Sequence, residues 1–309
     1  MKLSVIIPCY NAADTISDQL DSLANQHWDQ PWEVVVIDND STDHTVDIVK
    51  KYQNKIPHLR IIHANEKRNV AYARNTGVNN CEGDFLAFCD ADDVVGANWV
   101  AGMGNALAKH PFVACKMDWA TLNNFSKHTL NSKPQIDGVN SFFVDDFFSH
   151  AGGGSLGIRK DVHFEVNGFD ESLPYLEDTD YCFRVQLEGY DLTFIPDALV
   201  HVRARSNIYK IFKQEMRWAE YGYYLYKRYQ SYGAANYNVK DSVRQLYHNI
   251  LSYRKLLDPE RRCNWVIRSA IELGKIKGFL QYRLKGKMYI GRNKIGQKNI
   301  AKSASELKI

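Results

Sequence analysis

Several common signatures are missing from this 309-residue sequence, and each absence removes a class of function. No apolar run approaches the roughly 20 residues that span a bilayer, so the chain reads as soluble or peripheral. The run Leu3–Ile7 after Lys2 is too short for the apolar core of a secretory leader, and Pro8 followed by Tyr10-Asn11 reads as a strand entering a loop. No G-x-G-x-x-G and no G-x-x-x-x-G-K-[ST] is read in the sequence, which argues against a dinucleotide fold and a P-loop. None of the six cysteines (9, 81, 89, 115, 182, 263) forms a C-x-x-C pair. Scattered in or beside apolar runs, they read as buried free thiols in a reducing compartment. No internal repeat is found, and no nucleic-acid recognition motif, so nucleic acid is not an expected partner.

What is present is a strong asymmetry of charge. The net charge of +3 hides 24 Lys and Arg against 7 Asp and Glu from residue 201 onward, and 15 against 29 before it. Such a division points to different partners for the two parts. The basic part, aromatic and helical in character, suits an anionic surface such as a membrane leaflet, or an ordinary solvated helical face.

Strand and helix patterns alternate through the first part. Leu3–Ile7, Glu33–Ile37, Leu59–Ile62 and Phe85–Phe88 are short apolar runs that read as strands, with helical spacing over about 12–25, 70–78 and 99–109 between and after them. This order predicts an α/β fold with a mainly parallel sheet and helices on both faces. Ser41 or Thr42 is positioned to cap a helix carrying Val46, Ile48 and Val49. Phe112–Cys115 and Leu156–Ile158 read as further strands, residues 122–149 as loops, and Leu192–Ile195 and Ala198–His201 as two short closing strands. The stretch Ala151-Gly152-Gly153-Gly154-Ser155 is backbone-permissive, suited to backbone contacts with a ligand or to simple flexibility.

Polar residues collect where the strands end: Pro8-Cys9-Tyr10-Asn11, Asp38, and Asp90-Ala91-Asp92-Asp93. Strand C-termini of one parallel sheet converge on a crevice. Two acids spaced as Asp90 and Asp92 suit a hard divalent cation carrying a diphosphate. An acidic surface turn is the plainer reading of the same residues.

The stretches Ser4–Asn11, Val36–Asp43, Ala73-Arg74-Asn75-Thr76-Gly77, Asp90–Asp93, Gly168-Phe169-Asp170-Glu171 and Glu177-Asp178 resemble, in order and approximate spacing, the inverting family 2 glycosyltransferases of the GT-A fold. The resemblance covers roughly residues 1–205 and leaves 206–309 as a basic, aromatic-rich helical extension. It implies transfer of a sugar from a nucleotide-sugar donor, a UDP-sugar favoured, to an acceptor hydroxyl. Pro8, Tyr10, Asn11, Asp38, Arg74 and Asp90 match the family's nucleotide-sugar contacts. Asp92 matches its metal ligand, Asp93 is a third acid or a helix-start residue, and Asp178 matches the catalytic base beside Glu177. Alternatively, Asp38 caps a helix, Arg74 is a solvated helix charge, and Glu177 and Asp178 merely favour a helix N-terminus. Asn39 stands where many members carry a second Asp.

His201 stands where many GT-A enzymes carry a histidine ligand, and imidazole there shifts the expected cofactor from Mg²⁺ toward Mn²⁺; a structural histidine is the alternative. Gln214–Trp218 resembles the Q-x-x-R-W signature of processive synthases. Without spanning helices, Trp218 reads better as packed on an amphipathic helix, Arg217 and Trp218 reach at most the diphosphate or acceptor, and transfer is non-processive. The implied setting is cell-surface glycan assembly, cytoplasmic or peripheral on the inner membrane face, with a saccharide or lipid-linked saccharide acceptor. Rival readings are a sugar nucleotidyltransferase, which wants a glycine-rich basic loop where Cys9-Tyr10-Asn11-Ala12 stands, and a glycan-binding or scaffold protein that has lost catalysis, against which the intact Asp90, Asp92 and Asp178 weigh.

Overall fold

The computed structural model describes residues 2–56, 58–124, 134–142, 147–234 and 238–284. Parts of the expected 122–149 loop region and of the basic tail lie outside them. The described residues form two compact units, one up to Ser141 together with Phe148–Ala204, the other from Arg205 onward together with Phe142 and Phe147.

In the first unit, four parallel strands form one half of the sheet. They are β1 (Leu3–Cys9), β2 (Trp32–Asp38), β3 (Leu59–His63) and β4 (Phe85–Phe88). β1 lies between β2 and β4, with β3 outside β2. Helices α1 (Ile16–Ala24), α2 (Thr45–Lys50) and α3 (Val70–Asn80) make the crossovers. β5 (Val94–Val95), α4 (Trp99–Lys109), β6 (Phe112–Asp118), β7 (Asn140–Ser141) and β8 (Ser149–His150) follow. Then come β9 (Leu156–Arg159), α5 (Lys160–Glu165), α6 (Glu177–Leu187) and β10 (Thr193–His201). The eight-stranded order is β3-β2-β1-β4-β9-β6-β10-β5, with β9 antiparallel to both neighbours and β5 antiparallel to β10. β7 and β8 pair separately.

Alternation along β1 divides the core. Leu3, Val5 and Ile7 pack on one face with Leu20, Trp99 and Leu107, whereas Ile6 faces Val35, Phe88, Ala73 and Tyr181 on the other. The sheet is therefore covered on both faces, as its near-continuous apolar strands demand.

Three local expectations are corrected. The two closing strands are one, β10, because the ladder with β6 continues past Pro196 through a register shift between Ile195 and Leu199; proline's missing N–H is absorbed in that bulge. Ser41 and Thr42 do not cap α2. They cross to Asn11, which donates its N–H to Ser41 Oγ (3.0 Å) and accepts from Thr42 N (2.8 Å). Asp93 starts no helix but is buried, accepting from Arg203 N at 2.8 Å.

The second unit is helical: α7 (Ile208–Tyr229), α8 (Val239–Leu251) and α9 (Pro259–Phe279). Gly274 and Gly278, four residues apart, bring α9 against α7, where a Cβ would strike the Met216 and Glu220 carbonyls. The tyrosine-rich composition is explained here, since Tyr221, Tyr223, Tyr224, Tyr226, Tyr229 and Tyr282 are all buried. Trp218, expected to be packed, is instead exposed.

Candidate active site

The C-terminal ends of β1, β2 and β4 bring Tyr10-Asn11, Asp38 and Asp90 to one sheet edge. Pro8 is the next-to-last residue of β1, paired with Ile37. Asn11 takes a left-handed backbone, φ 48°, and its bonds to Ser41 and Thr42 lock the β1 and β2 exits together. Asp38 is buried. Its Oδ1 accepts from Ser41 N (3.2 Å), so it does hold the turn, while its Oδ2 lies 3.1 Å from His63 Nδ1. Tyr10 is exposed, with the Arg68 guanidinium over its ring at 4.7 Å.

Asn39 is a clamp. Its amide donates to the Ala64 and Lys67 carbonyls, and its Oδ1 accepts from Asn69 N at 2.9 Å. An aspartate has no N–H for the two carbonyls, which gives the amide here a physical reason.

Arg74 is the hub of the site. Buried on α3, it donates from Nη2 to Asp90 Oδ1 (3.0 Å) and from Nη1 to Glu177 Oε1 (2.9 Å), with its guanidinium 5.4 Å over the Phe169 ring. Burial opposes its charge, yet Asp90, Glu177 and Asp178 hold it above its ordinary value. Burial, then the Asp178 carboxylate, raises Glu177 above the usual range against the pull of Arg74. Arg74 is thus no solvated helix charge, and Glu177 is spent in a buried ion pair.

Asp178 stands in the first turn of α6. Its Oδ2 accepts from Gly153 N (2.9 Å) and its Oδ1 from Thr179 N (2.7 Å), which fixes the carboxylate's orientation. Two motifs meet to place this helix: Asn75 Nδ2 donates to Phe169 O and Asn75 Oδ1 accepts from Phe169 N, both at 2.9 Å. Phe169 in turn stacks on Tyr181 of α6 at 4.0 Å.

The glycine run is closely packed, and its lack of side chains has a steric reason. A Cβ on Gly153 would lie 2.5 Å from Arg74 Nη2, and one on Gly154 2.7 Å from Asp90 Oδ2. Gly152 to Gly157 does spell G-x-G-x-x-G, but it leads into β9 rather than from a strand into a helix, so it is not a dinucleotide fingerprint. Its members were missed as site residues, although their run was visible in the sequence.

Asp92 is exposed on the turn after β4, and burial, then Asp90 and Asp92, push neighbouring Asp93 up to about 8. His201 pairs with Val94 across β10 and β5. Arg203 ties the exit of β10 to the acidic turn, donating from Nε to Asp92 O at 3.0 Å. Among the described residues no three His, Cys, Asp or Glu are grouped to hold a metal ion. The donor set nonetheless fits a cation brought in by a diphosphate. His201 turns Nδ1 to Asp118 Oδ2 at 2.6 Å, the carboxylate–imidazole pairing that would leave Nε2 as the nitrogen available to a cation. Although burial opposes it, bonds from Thr121, His201 and Ala120 hold Asp118 down to about 2. Asp118 went unnoticed because β6 was expected to end at Cys115; three more strand residues place it opposite His201.

Arg217 and Trp218 lie on α7 in the second unit, where Arg217 Nη1 donates to Glu220 of its own helix at 3.0 Å.

The sequence model for Glycosyl transferase family 2 matches residues 4–163, just over half of the chain. The chain belongs to glycosyl transferase family 2. The model for Glycosyl transferase family group 2 also matches, over 85–259. Among similar proteins, the "Uncharacterized glycosyltransferase YibD" of Escherichia coli (strain K12) is 42% identical over 121 residues, 38% of this chain and 34% of the relative. The "Dolichyl N-acetyl-alpha-D-glucosaminyl phosphate 3-beta-D-2,3-diacetamido-2,3-dideoxy-beta-D-glucuronosyltransferase" of Methanococcus voltae is 26% identical over 81% of this chain and 76% of its own. The match spans only about a third of the length of YibD and of YfnE of Bacillus subtilis (strain 168). Of solved structures, S. aureus TarS 1–349 with UDP superposes with a TM-score of 0.51 at 20% identity, over 96% of this chain and 98% of TarS. The mannosyltransferase PcManGT of Pyrobaculum calidifontis, with GDP-Man and Mn²⁺, gives 0.58 at 19%, over 88% and 86%. The first unit of this family member thus has the GT-A fold.

Proposed function

We propose that this chain is an enzyme, a metal-dependent, non-processive inverting glycosyltransferase that moves a sugar from a nucleotide-sugar donor to an acceptor hydroxyl in cell-surface glycan assembly. The observation that carries the reading is the buried Arg74, which bonds Asp90 at the donor edge and Glu177 next to Asp178. One guanidinium thereby fixes the spacing between donor and base.

In this reading Tyr10, Asn11 and Asp38 line the nucleotide and Asp90 its sugar side. Asp92 and His201 would hold Mn²⁺ or Mg²⁺, with Mn²⁺ favoured by the imidazole. When bound, the cation supplies positive charge to the departing diphosphate and makes a general acid unnecessary. Asp178 takes the acceptor hydroxyl's proton as that oxygen attacks the anomeric carbon. A new C–O bond forms on the face opposite the leaving group, and the bond to the diphosphate oxygen breaks with its electron pair. Gly153 N–H and Thr179 N–H each occupy one lone pair of Asp178, leaving others to receive the proton.

The names of relatives support the setting: poly(ribitol-phosphate) beta-glucosyltransferase and TarS act on poly(ribitol-phosphate) by name, and TarS structures hold UDP or UDP-GlcNAc. PcManGT holds GDP-Man with Mn²⁺. A UDP-sugar donor and a saccharide or lipid-linked acceptor are the corresponding proposals, with an anionic inner membrane face as the setting for the basic second unit. The test is a screen of nucleoside diphosphates and nucleotide sugars for thermal stabilisation with and without Mn²⁺. A Mn²⁺-dependent rise in Tm with one nucleotide is expected; no stabilisation by any of them contradicts the donor site.

A further inference from the structure

Helix α8 packs inward through few apolar groups. Ser242 is buried, Val239 and Leu246 are half-buried, and Asn249 Nδ2 donates to Trp265 O (3.0 Å) and Ser269 Oγ (2.6 Å) while Asn249 O accepts from Trp265 Nε1 (2.8 Å). Its other apolar residues point away from this contact. Val243, Tyr247, Ile250 and Leu251 are each more than half exposed, as are Tyr253 and Leu257 in the 3₁₀ turn Tyr253–Leu257 that follows. At 3.6 residues per turn the four helix positions fall within an arc of roughly 100°. A helix that leaves a contiguous apolar arc on its outer side is made for a second surface.

Charge identifies that surface. Lys240 falls within the apolar arc at its N-terminal end and Arg244 at its border, and Arg254 and Lys255 lie in the turn between Tyr253 and Leu257; all four are exposed. Arg262 donates to Leu256 O at 2.8 Å, bringing a fifth cation beside the turn. Asp241 lies on the opposite side of α8, and Asp258 is bonded to Arg261 at 3.1 Å. An apolar ridge edged with lysine and arginine has the chemistry of an interfacial helix, whose side chains enter the acyl boundary while cations meet anionic headgroups. We propose that the outer face of α8, with Tyr253–Leu257, docks this protein on an anionic lipid surface. The proposal rests on reading the basic unit as membrane-facing and assigns that contact to one face.

The test is co-sedimentation of the full chain with vesicles of phosphatidylglycerol and phosphatidylcholine, against vesicles of phosphatidylcholine alone. Binding to the anionic vesicles only is expected. Ile250→Ser with Leu251→Ser should weaken it about tenfold or more. Arg244→Gln, Arg254→Gln and Lys255→Gln should weaken it by roughly fivefold per charge removed. Retained circular dichroism and nucleotide-dependent thermal stabilisation show that the variants still fold. Wild-type binding that neither variant changes overturns the docking face while leaving another membrane contact standing. No binding to either vesicle overturns the membrane reading itself. A wild-type dimer that the Ile250→Ser, Leu251→Ser variant converts to monomer, without vesicle binding, assigns the face to a second copy and overturns the lipid proposal.

Discussion

Asn39 and Asp38 are neighbours at the end of β2 with opposite duties. Asp38 faces the sheet edge, while Asn39 binds the β3–α3 connection through two donated bonds and one accepted. Asn39→Asp leaves two carbonyls without donors and should cost about 1–3 kcal/mol, read as a lower denaturation midpoint; an unchanged midpoint contradicts the clamp. Under the proposed metal role of His201, its partner Asp118 is a positioning residue, and Asp118→Ala should weaken Mn²⁺ binding to the UDP complex about 10–100-fold, measured by electron paramagnetic resonance of free Mn²⁺. Unchanged affinity separates this pair from the metal. His163, buried against Tyr181 OH at 2.7 Å, is driven by burial, with Arg184 and Lys160, down to about 3 from 6.5. Between these values the unfolded chain binds the proton and the folded chain does not, so this histidine's contribution falls as pH falls. Asp93, raised to about 8, works in the opposite direction, so the variant comparison is the useful one. His163→Gln should gain on the wild type by up to ~1.4 kcal/mol per pH unit on acidification from 6.5 toward 4; parallel stability–pH curves contradict the assignment.

At the level of elements, the glycine run before β9 shows how backbone space becomes a functional requirement. Gly153→Ala forces its Cβ into the Arg74 guanidinium and disturbs the N–H that orients Asp178, so transfer should fall at least tenfold. Gly138→Ala, where nothing lies within 4 Å, is the control and should leave transfer unchanged. Equal activity of the two variants removes the run from the site. The strands and helices of the first unit were readable because apolar runs and helical spacing alternate cleanly. β10 was split in error because Pro196 reads as a break, whereas a register shift absorbs it. β9 was placed, but its antiparallel pairing was not legible, since an apolar run carries no direction. Contacts such as Asp118 with His201 or Gly153 with Asp178 join residues far apart in sequence, and only the sheet order brings them together.

Across the whole molecule, the uneven charge follows the division into two units. Acids gather at the sheet edge of the first, where Asp90, Glu177 and Asp178 surround the single guanidinium of Arg74 and Asp92 stands on the adjoining turn. Cations and tyrosines build the helical second unit. Ordered motifs were sufficient to name the family, but sugar and acceptor specificity depends on side chains lining the crevice, which no motif encodes. The central claim is that Asp178 is the base and that Arg74 holds it at a set distance from the donor edge. Its most direct test is Asp178→Asn, with nucleotide binding measured by thermal shift and sugar transfer measured in the same preparation. The variant should keep Mn²⁺-dependent nucleotide binding and lose transfer by about 10²-fold or more; undiminished transfer contradicts the account.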